Sequence, residues 1–198
     1  LGRHSGVQPR SAFNSLGHMI DGGYRPATPH RSGPFSKMPL WRPLLPADIP
    51  AVSAIAAAVH PDFPEDEAVF ADRQAIAPDF CFLLEIDGAP AGYILAHPYR
   101  LGTLPTLNTV LTRLPEGSDT LYIHDLALLP AARGTGAARQ IVESLLLLAA
   151  PFGALSLVAV NGSVPFWTRM GFSMTDDHRL AAKLSSYEPD ARYMVAPA

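Results

Sequence analysis

From residue 40 onward the apolar positions follow two spacings, and each switch between them marks an element. Leu40-Trp41-Arg42-Pro43 reads as a short strand. Over residues 47–59, Ile49, Val52, Ile55 and Val59 share one face at helical spacing, with Pro50 tolerated in the first turn. Pro61 and Pro64 punctuate a loop, and residues 65–77 read as a second helix. Phe80 to Ile86 is a strand, Asp87-Gly88 a hairpin turn, and Ala91 to Ala96 the partner strand. Residues 97–119, with Pro98, Pro105 and Pro115, form an irregular insert of a length that is often functional. A strand over 121–128 precedes a helix over 136–150. Ala137, Ile141, Leu145 and Leu148 line the buried face of that helix, Arg139 and Glu143 pair on the other, and Pro151 ends it. Leu155 to Val160 is a short buried strand, broken by Asn161-Gly162-Ser163. Ser163 caps a short helix with Pro165 in its first turn and Gly171 past its end. Phe172 to Thr175 and Arg192 to Val195 supply the last strands.

The chemistry concentrates at one junction. The strand carrying Tyr122-Ile123-His124-Asp125-Leu126-Ala127-Leu128 runs into a turn, Arg133-Gly134-Thr135-Gly136-Ala137-Ala138, that opens a helix. Glycines let a ligand approach the backbone closely, the first N–H groups of a helix have no partner within it, and the helix dipole favours an anion. The expected ligand is a diphosphate. No Lys follows the glycines, which excludes a Walker loop, and Arg139 stands where a dinucleotide fingerprint needs its third glycine. Taken alone, the turn would also serve as a plain helix entry.

A second pattern narrows the choice. Asn161 follows the next strand, and Phe166-Trp167-Thr168-Arg169-Met170-Gly171-Phe172 follows on a short helix. With Arg133, Gly136 and Ala138 matching [Q/R]-x-x-G-x-[G/A], and the second segment matching F-Y-x-x-x-G-F apart from Trp167 in the Tyr position, residues 40–196 resemble the GNAT superfamily of N-acetyltransferases.

The resemblance implies an α/β (α+β) fold: one GNAT-type domain over residues 38–198, with a mixed, mostly antiparallel sheet of six to seven strands. Helices flank the sheet, which splays between its central strands. It implies acetyl-coenzyme A as cosubstrate. The turn residues Arg133, Gly134, Thr135, Gly136, Ala137 and Ala138 would hold the pyrophosphate. Leu126, Ala127 and Leu128 would offer backbone groups to the amide-rich pantetheine arm, and Asn161 and Phe166 would complete the cofactor site. His124-Asp125-Leu126-Ala127-Leu128 is similar to a strand of the arylalkylamine N-acetyltransferases, in which a histidine at the position of His124 helps to remove the amine's proton. Tyr122, two residues earlier and on the same strand face, could extend a proton path. Alternation sends Asp125 to the opposite face as a structural partner. Trp167 stands where many members carry a Tyr that protonates the leaving thiolate, and an indole N–H has no useful acidity. That substitution gives weight to a second reading, a coenzyme A-binding module without turnover. The first reading is acetyl transfer to the primary amine of a small molecule, by direct attack in a ternary complex, with a peptide or protein amine as the alternative acceptor.

Composition bounds the rest. Of the 198 residues, 48% are hydrophobic, enough for an ordinary core. The net charge of -3 is uneven: residues 1–37 carry five basic residues and one acid, leaving an acidic body that suits a cationic acceptor better than nucleic acid. Asp62, Glu65, Asp66 and Glu67 form an acidic cluster that would recruit such an acceptor or simply open a helix. The single cysteine, Cys81, lies in an apolar run, suits a reducing cytosol and is no candidate nucleophile. One Cys and scattered His residues give no metal-ligand spacing. No apolar stretch is long enough to span a membrane. The expected location is cytoplasmic, and a homodimer is left open. Residues 1–37, rich in Gly, Pro, Ser, His and Arg, read as an N-terminal extension, either an appended segment or a flexible arm, with Met38 as a natural start.

Overall fold

The computed structural model describes residues 38–198. The expectation for residues 1–37 lies outside these. Seven strands form one sheet: β1 (Pro39–Pro43), β2 (Cys81–Ile86), β3 (Ala89–Tyr99), β4 (Thr120–Leu128), β5 (Ala154–Ala159), β6 (Ser173–Met174) and β7 (Arg192–Pro197), in the order β1-β2-β3-β4-β5-β7-β6. Every pairing is antiparallel except β4 with β5. The helices are α1 (Ile49–Val59), α2 (Glu67–Ile76), α3 (Ala137–Leu148), α4 (Val164–Arg169) and α5 (Ala181–Leu184).

Each sheet face carries its own core. On one, Ile55, Val52 and Phe70 of α1 and α2 cover Leu83, Tyr93, Leu95 and Ala127. On the other, Ile141, Val142 and Leu145 of α3 and Trp167 of α4 cover Ile94, Ile123, Leu155, Leu157 and Met194. The β2–β3 hairpin turns at Asp87 and Gly88, both left-handed at φ 55° and 75°, as a two-residue hairpin loop requires. Trp41 of β1 donates its indole N–H to Ala137 O at 3.0 Å, fixing the start of α3 over the sheet.

Two expectations change. The insert begins after Tyr99 rather than at 97, because β3 runs on through His97, Pro98 and Tyr99 against Leu121 and Thr120. β2 has already ended at the level of Leu95, so β3 is an edge there and a proline is tolerated. The second is a β-bulge: Leu95 pairs with Asp125 and Ala96 with Ile123, leaving His124 as the extra residue of β4. The bulge resets the alternation. Asp125 therefore shares the face of Leu95 and Tyr93, beneath α1 and α2, rather than lying opposite Tyr122.

Candidate active site

β4 and β5 pair only from Leu121 to Ile123 against Leu155 to Leu157, and beyond that they diverge. The closed end is stitched inside the protein, where Thr120 Oγ1 donates to Ala154 O at 3.2 Å and lies 2.9 Å from Ser156 Oγ. The open end forms a cleft of about 320 Å³. Leu126, Leu128, Val158, Val160 and Phe166 wall it at the strand ends, and Arg133, Ala138 and Asn161 stand at its mouth.

The turn beyond β4 presents donors outward. Gly134 and Gly136 adopt φ 76° and 87°, the left-handed region, with open space where a Cβ would stand. The backbone N–H groups of Gly134, Thr135, Gly136 and Ala138 find no backbone acceptor among the described residues. The Ala137 N–H does not join them. It donates to Thr135 Oγ1 at 3.3 Å, and the residue is buried. Arg133 folds back so that Nε donates to Leu128 O at 3.2 Å. Asn161 is left-handed at φ 54°, with its N–H given to Glu188 Oε1 at 2.7 Å and its side chain at the cleft mouth.

Deeper in the cleft lie two histidine–carboxylate pairs, side by side because of the bulge. His124 Nε2 is 2.9 Å from Glu65 Oε2, and both side chains are almost wholly buried. Burial opposes the charge on Glu65, but the histidine prevails and holds the carboxyl below its ordinary value. Glu65 Oε1 accepts the N–H of Asn108 at 3.1 Å, so the insert holds the other carboxylate oxygen. In the second pair, His60 at the end of α1 places Nε2 3.1 Å from Asp125 Oδ1, off the line of a straight hydrogen bond. Tyr93, buried behind, donates its hydroxyl to Asp125 Oδ2. Burial raises and His60 lowers the Asp125 carboxyl, with the net effect downward; burial lowers and Asp125 raises His60, with the net effect upward.

Tyr122 lies on the same face and is almost fully buried, and burial drives its hydroxyl well above the ordinary phenol value. The hydroxyl therefore stays protonated at neutral pH. His97, wholly buried beside the rings of Tyr122 and His124, is pushed down to about 3 by burial and by His124, and is neutral. Cys81 is buried, with its thiol pushed up to about 12 by burial. Trp167 packs edge-on against Phe166 and Phe172 and lines the cleft.

Of the residues expected from sequence, Tyr122, His124, Leu126, Leu128, Arg133, Ala138, Asn161 and Phe166 line one cleft, whereas the side chains of Ala127 and Ala137 are buried in the core and Gly134, Thr135 and Gly136 stand outside its lining. Two groups come from outside the expected set. Glu65 stands out of the acidic cluster as the partner of His124, while its neighbour Asp66 anchors the insert through Asn108 at 2.7 and 3.1 Å. His60 carried no sequence signal beyond its residue type.

Outward N–H groups on a glycine turn, an unpaired strand edge and an apolar trough suit a diphosphate followed by an amide-rich arm. That combination fits the coenzyme A-dependent acyltransferase that the sequence resemblance implies. The model of the acetyltransferase (GNAT) family matches residues 49–172, and the chain belongs to that family. Among solved structures, Ard1 from Thermoplasma volcanium superposes with a TM-score of 0.62 at 18% identity, over 81% of this chain and 97% of that one. Arabidopsis thaliana Naa50, in complex with the bisubstrate analogue CoA-Ac-MVNAL, gives 0.59 at 17% over 79% and 96%. N-acetylglutamate synthase from Neisseria gonorrhoeae, complexed with coenzyme A and N-acetyl-glutamate, gives 0.60 at 14% over 82% of this chain and 36% of that one. No curated protein matches the chain. At these identities the likenesses establish the fold. The protein is an acyltransferase of the GNAT family.

Proposed function

We propose that the protein moves an acetyl group from acetyl-coenzyme A to the primary amine of a small molecule, by direct attack in a ternary complex, with His124 as general base. The observation that carries this reading is the Glu65–His124 pair on the β4 bulge, lining the cleft where the two central strands part. With Glu65 ionised, the shared proton sits on His124 Nε2, and Nδ1 keeps the lone pair that takes a proton from the incoming ammonium. The turn from Gly134 to Ala138 would hold the diphosphate, and the open edge of Leu126, Ala127 and Leu128 the pantetheine arm, with Asn161 and Phe166 closing the mouth. A β4 backbone N–H facing the gap would polarise the thioester carbonyl.

The acceptor end supports a small substrate. Val59, Phe63, Leu107 and Tyr187 line the same cleft as Glu65 and His124, and the insert is tied to its rim through Asn108, which bonds Glu65 and Asp66. Apolar walls around a carboxylate suit an amine on a hydrophobic body, in keeping with the local arylalkylamine resemblance. A cytosolic location and a homodimer belong to the same proposal, the second to be tested by light scattering.

The test is thiol release from acetyl-coenzyme A with arylalkylamines, polyamines, amino acids and peptides. Turnover should favour small amines, and His124→Ala should lower kcat by about 10²- to 10⁴-fold while sparing coenzyme A affinity. Turnover confined to peptides would overturn the acceptor class, and full activity in His124→Ala would overturn the base.

A further inference from the structure

The insert between β3 and β4 is fastened twice, to two different parts of the molecule. Its first stretch is held by the β5–β7 side. Leu104 is buried with Leu180 and Tyr193, and Val158 and Tyr187 pack against that group. The Gly102 N–H donates to the Tyr193 hydroxyl at 3.1 Å, Lys183 Nζ donates to Leu104 O, and the Tyr187 hydroxyl donates to Pro105 O at 2.9 Å. The next stretch is held by α2 and the residues that lead into it. Asn108 Oδ1 accepts the Asp66 N–H at 2.7 Å, Asn108 Nδ2 donates to Asp66 Oδ2 at 3.1 Å, and the Asn108 N–H goes to Glu65. Arg73, wholly buried, donates to Thr109 O, and Asp72 receives the N–H groups of Leu111 and Thr112. Thr112 is left-handed at φ 62°, an unfavourable conformation for a β-branched residue, and the Asp72 bond holds it there. Leu107 lies between the two sets of ties and lines the cleft together with Glu65 and His124.

This anchorage bears on what can enter. A peptide laid along a protein gains affinity largely through its main chain, so it needs free N–H and C=O groups on its path. Along the insert, the carbonyls of Leu104, Pro105 and Thr109 and the N–H groups of Gly102, Asn108, Leu111 and Thr112 are already engaged within the protein. A small amine on an apolar body needs none of them. It needs a carboxylate near its ammonium and carbon around its body, and Glu65, Val59, Phe63 and Leu107 line one cleft.

We propose that the insert is a strap joining α2 to the β5–β7 side, and that Leu107, held at its middle, is a specificity-determining residue of the acceptor site. Leu107 packs against the apolar body of a small primary amine, and the strap shuts out a peptide chain. The inference rests on the acetyl-transfer reading above and narrows its acceptor.

Binding tests it without turnover. Three probes are titrated by calorimetry: coenzyme A, coenzyme A joined through an acetyl bridge to phenethylamine, and coenzyme A joined in the same way to the N-terminus of a pentapeptide. The wild-type protein should bind the phenethylamine conjugate about tenfold more tightly than coenzyme A, and the peptide conjugate no more tightly than coenzyme A. Leu107→Ala should lose about tenfold for the phenethylamine conjugate, with its unchanged affinity for coenzyme A showing that it is folded. Lys183→Ala combined with Asn108→Gly releases one tie in each stretch. Glycine keeps the left-handed backbone of Asn108 and the N–H given to Glu65, and neither residue lines the cleft. That protein should gain about tenfold for the peptide conjugate. A peptide conjugate held by the wild-type protein as tightly as the phenethylamine conjugate would overturn the inference. So would an unchanged phenethylamine conjugate affinity in Leu107→Ala, or no gain for the peptide conjugate in the released protein. Failure of the wild-type protein to bind coenzyme A would instead overturn the acetyl-transfer reading, and the inference with it.

Discussion

Glu65 makes two contacts with two different parts of the chain: one carboxylate oxygen takes the His124 ring and the other the Asn108 backbone. Glu65→Gln keeps the shape and removes the charge that fixes the imidazole's tautomer, so kcat should fall about tenfold or more with coenzyme A affinity unchanged, measured by paired kinetics and calorimetry. The same pairs set the pH profile of stability. Glu65 and Asp125 are held below ordinary carboxylate values, so their contribution is present above about pH 4 and is lost as pH falls through their lower native values. His60 is held above its ordinary value, so its contribution is complete below about pH 6.5 and is lost as pH rises through its native value. His97, pushed down to about 3, favours the native state fully only above about pH 6.5 and costs stability as pH falls below it. The urea midpoint should therefore peak near pH 6.5 and decline on both sides. His60→Gln should remove the decline on the upper side, and an unchanged profile in that variant would contradict the ion pair. Cys81, buried and with its thiol near 12, should resist alkylation in the native protein and react only on unfolding, as mass spectrometry would show.

At the scale of elements, the site depends on where β4 stops following its neighbours. Gly92 of β3 lies opposite Leu128, and a Cβ there would come within 2.5 Å of Leu128 Cδ2 and 2.7 Å of Ala127 O. The second neighbour is backbone and cannot rotate away. Gly92→Ala should push the end of β4 outward, costing about 1–3 kcal/mol by denaturant titration and weakening coenzyme A binding. Full stability and affinity would show that the strand end is free to move. This geometry separates what could be read in the sequence from what could not. The turn at Gly134 and Gly136 and the Asp87-Gly88 hairpin are local, so residue type and spacing carry them. They carry most of the α3 face too, but Leu148, expected on it, is exposed, and Val142 and Ala149 are buried instead because the face follows the helix round toward its end. The bulge at His124 is a register shift between two strands, and no pattern within β4 announces it; strict alternation therefore put Asp125 on the wrong face. Glu65 was visible only as one acid among four, because its partner lies 59 residues away and reaches it only once α2 has packed on the sheet. The insert was legible as an irregular segment, but not its anchorage: Asp72 receives the N–H groups of Leu111 and Thr112 at 2.9 and 2.8 Å, and Arg73 holds Thr109 O at 2.8 Å.

At the scale of the molecule, the sheet is two sets of strands, β1 to β4 and β5 with β7 and β6, joined through three residue pairs. Beneath the join, the core under α3 is continuous, running from Ile94 and Ile123 to Leu155 and Met194. Above it, the strands separate and leave both backbone edges and the outward N–H groups of the α3 turn unpaired. A cosubstrate seated there would replace the missing strand contacts on both sides of the gap and so act on the whole fold. By mass action, coenzyme A at about one hundred times its Kd adds about 2.7 kcal/mol, which for a domain of this size corresponds to a rise in Tm of roughly 5–10 °C. Hydrogen exchange should locate the gain. Protection should increase from Leu126 to Leu128, across Gly134 to Ala138 and through α4, while the β1–β2 pair, remote from the gap, keeps its rates. A uniform rise in protection would mean that the gap is already rigid before the cosubstrate arrives. Protection confined to the turn would mean that the diphosphate is held but the arm does not enter between the strands. Only protection on both edges of the gap would bear out the expected seating, with the thioester lying between Asn161 on one side and the two histidine–carboxylate pairs on the other.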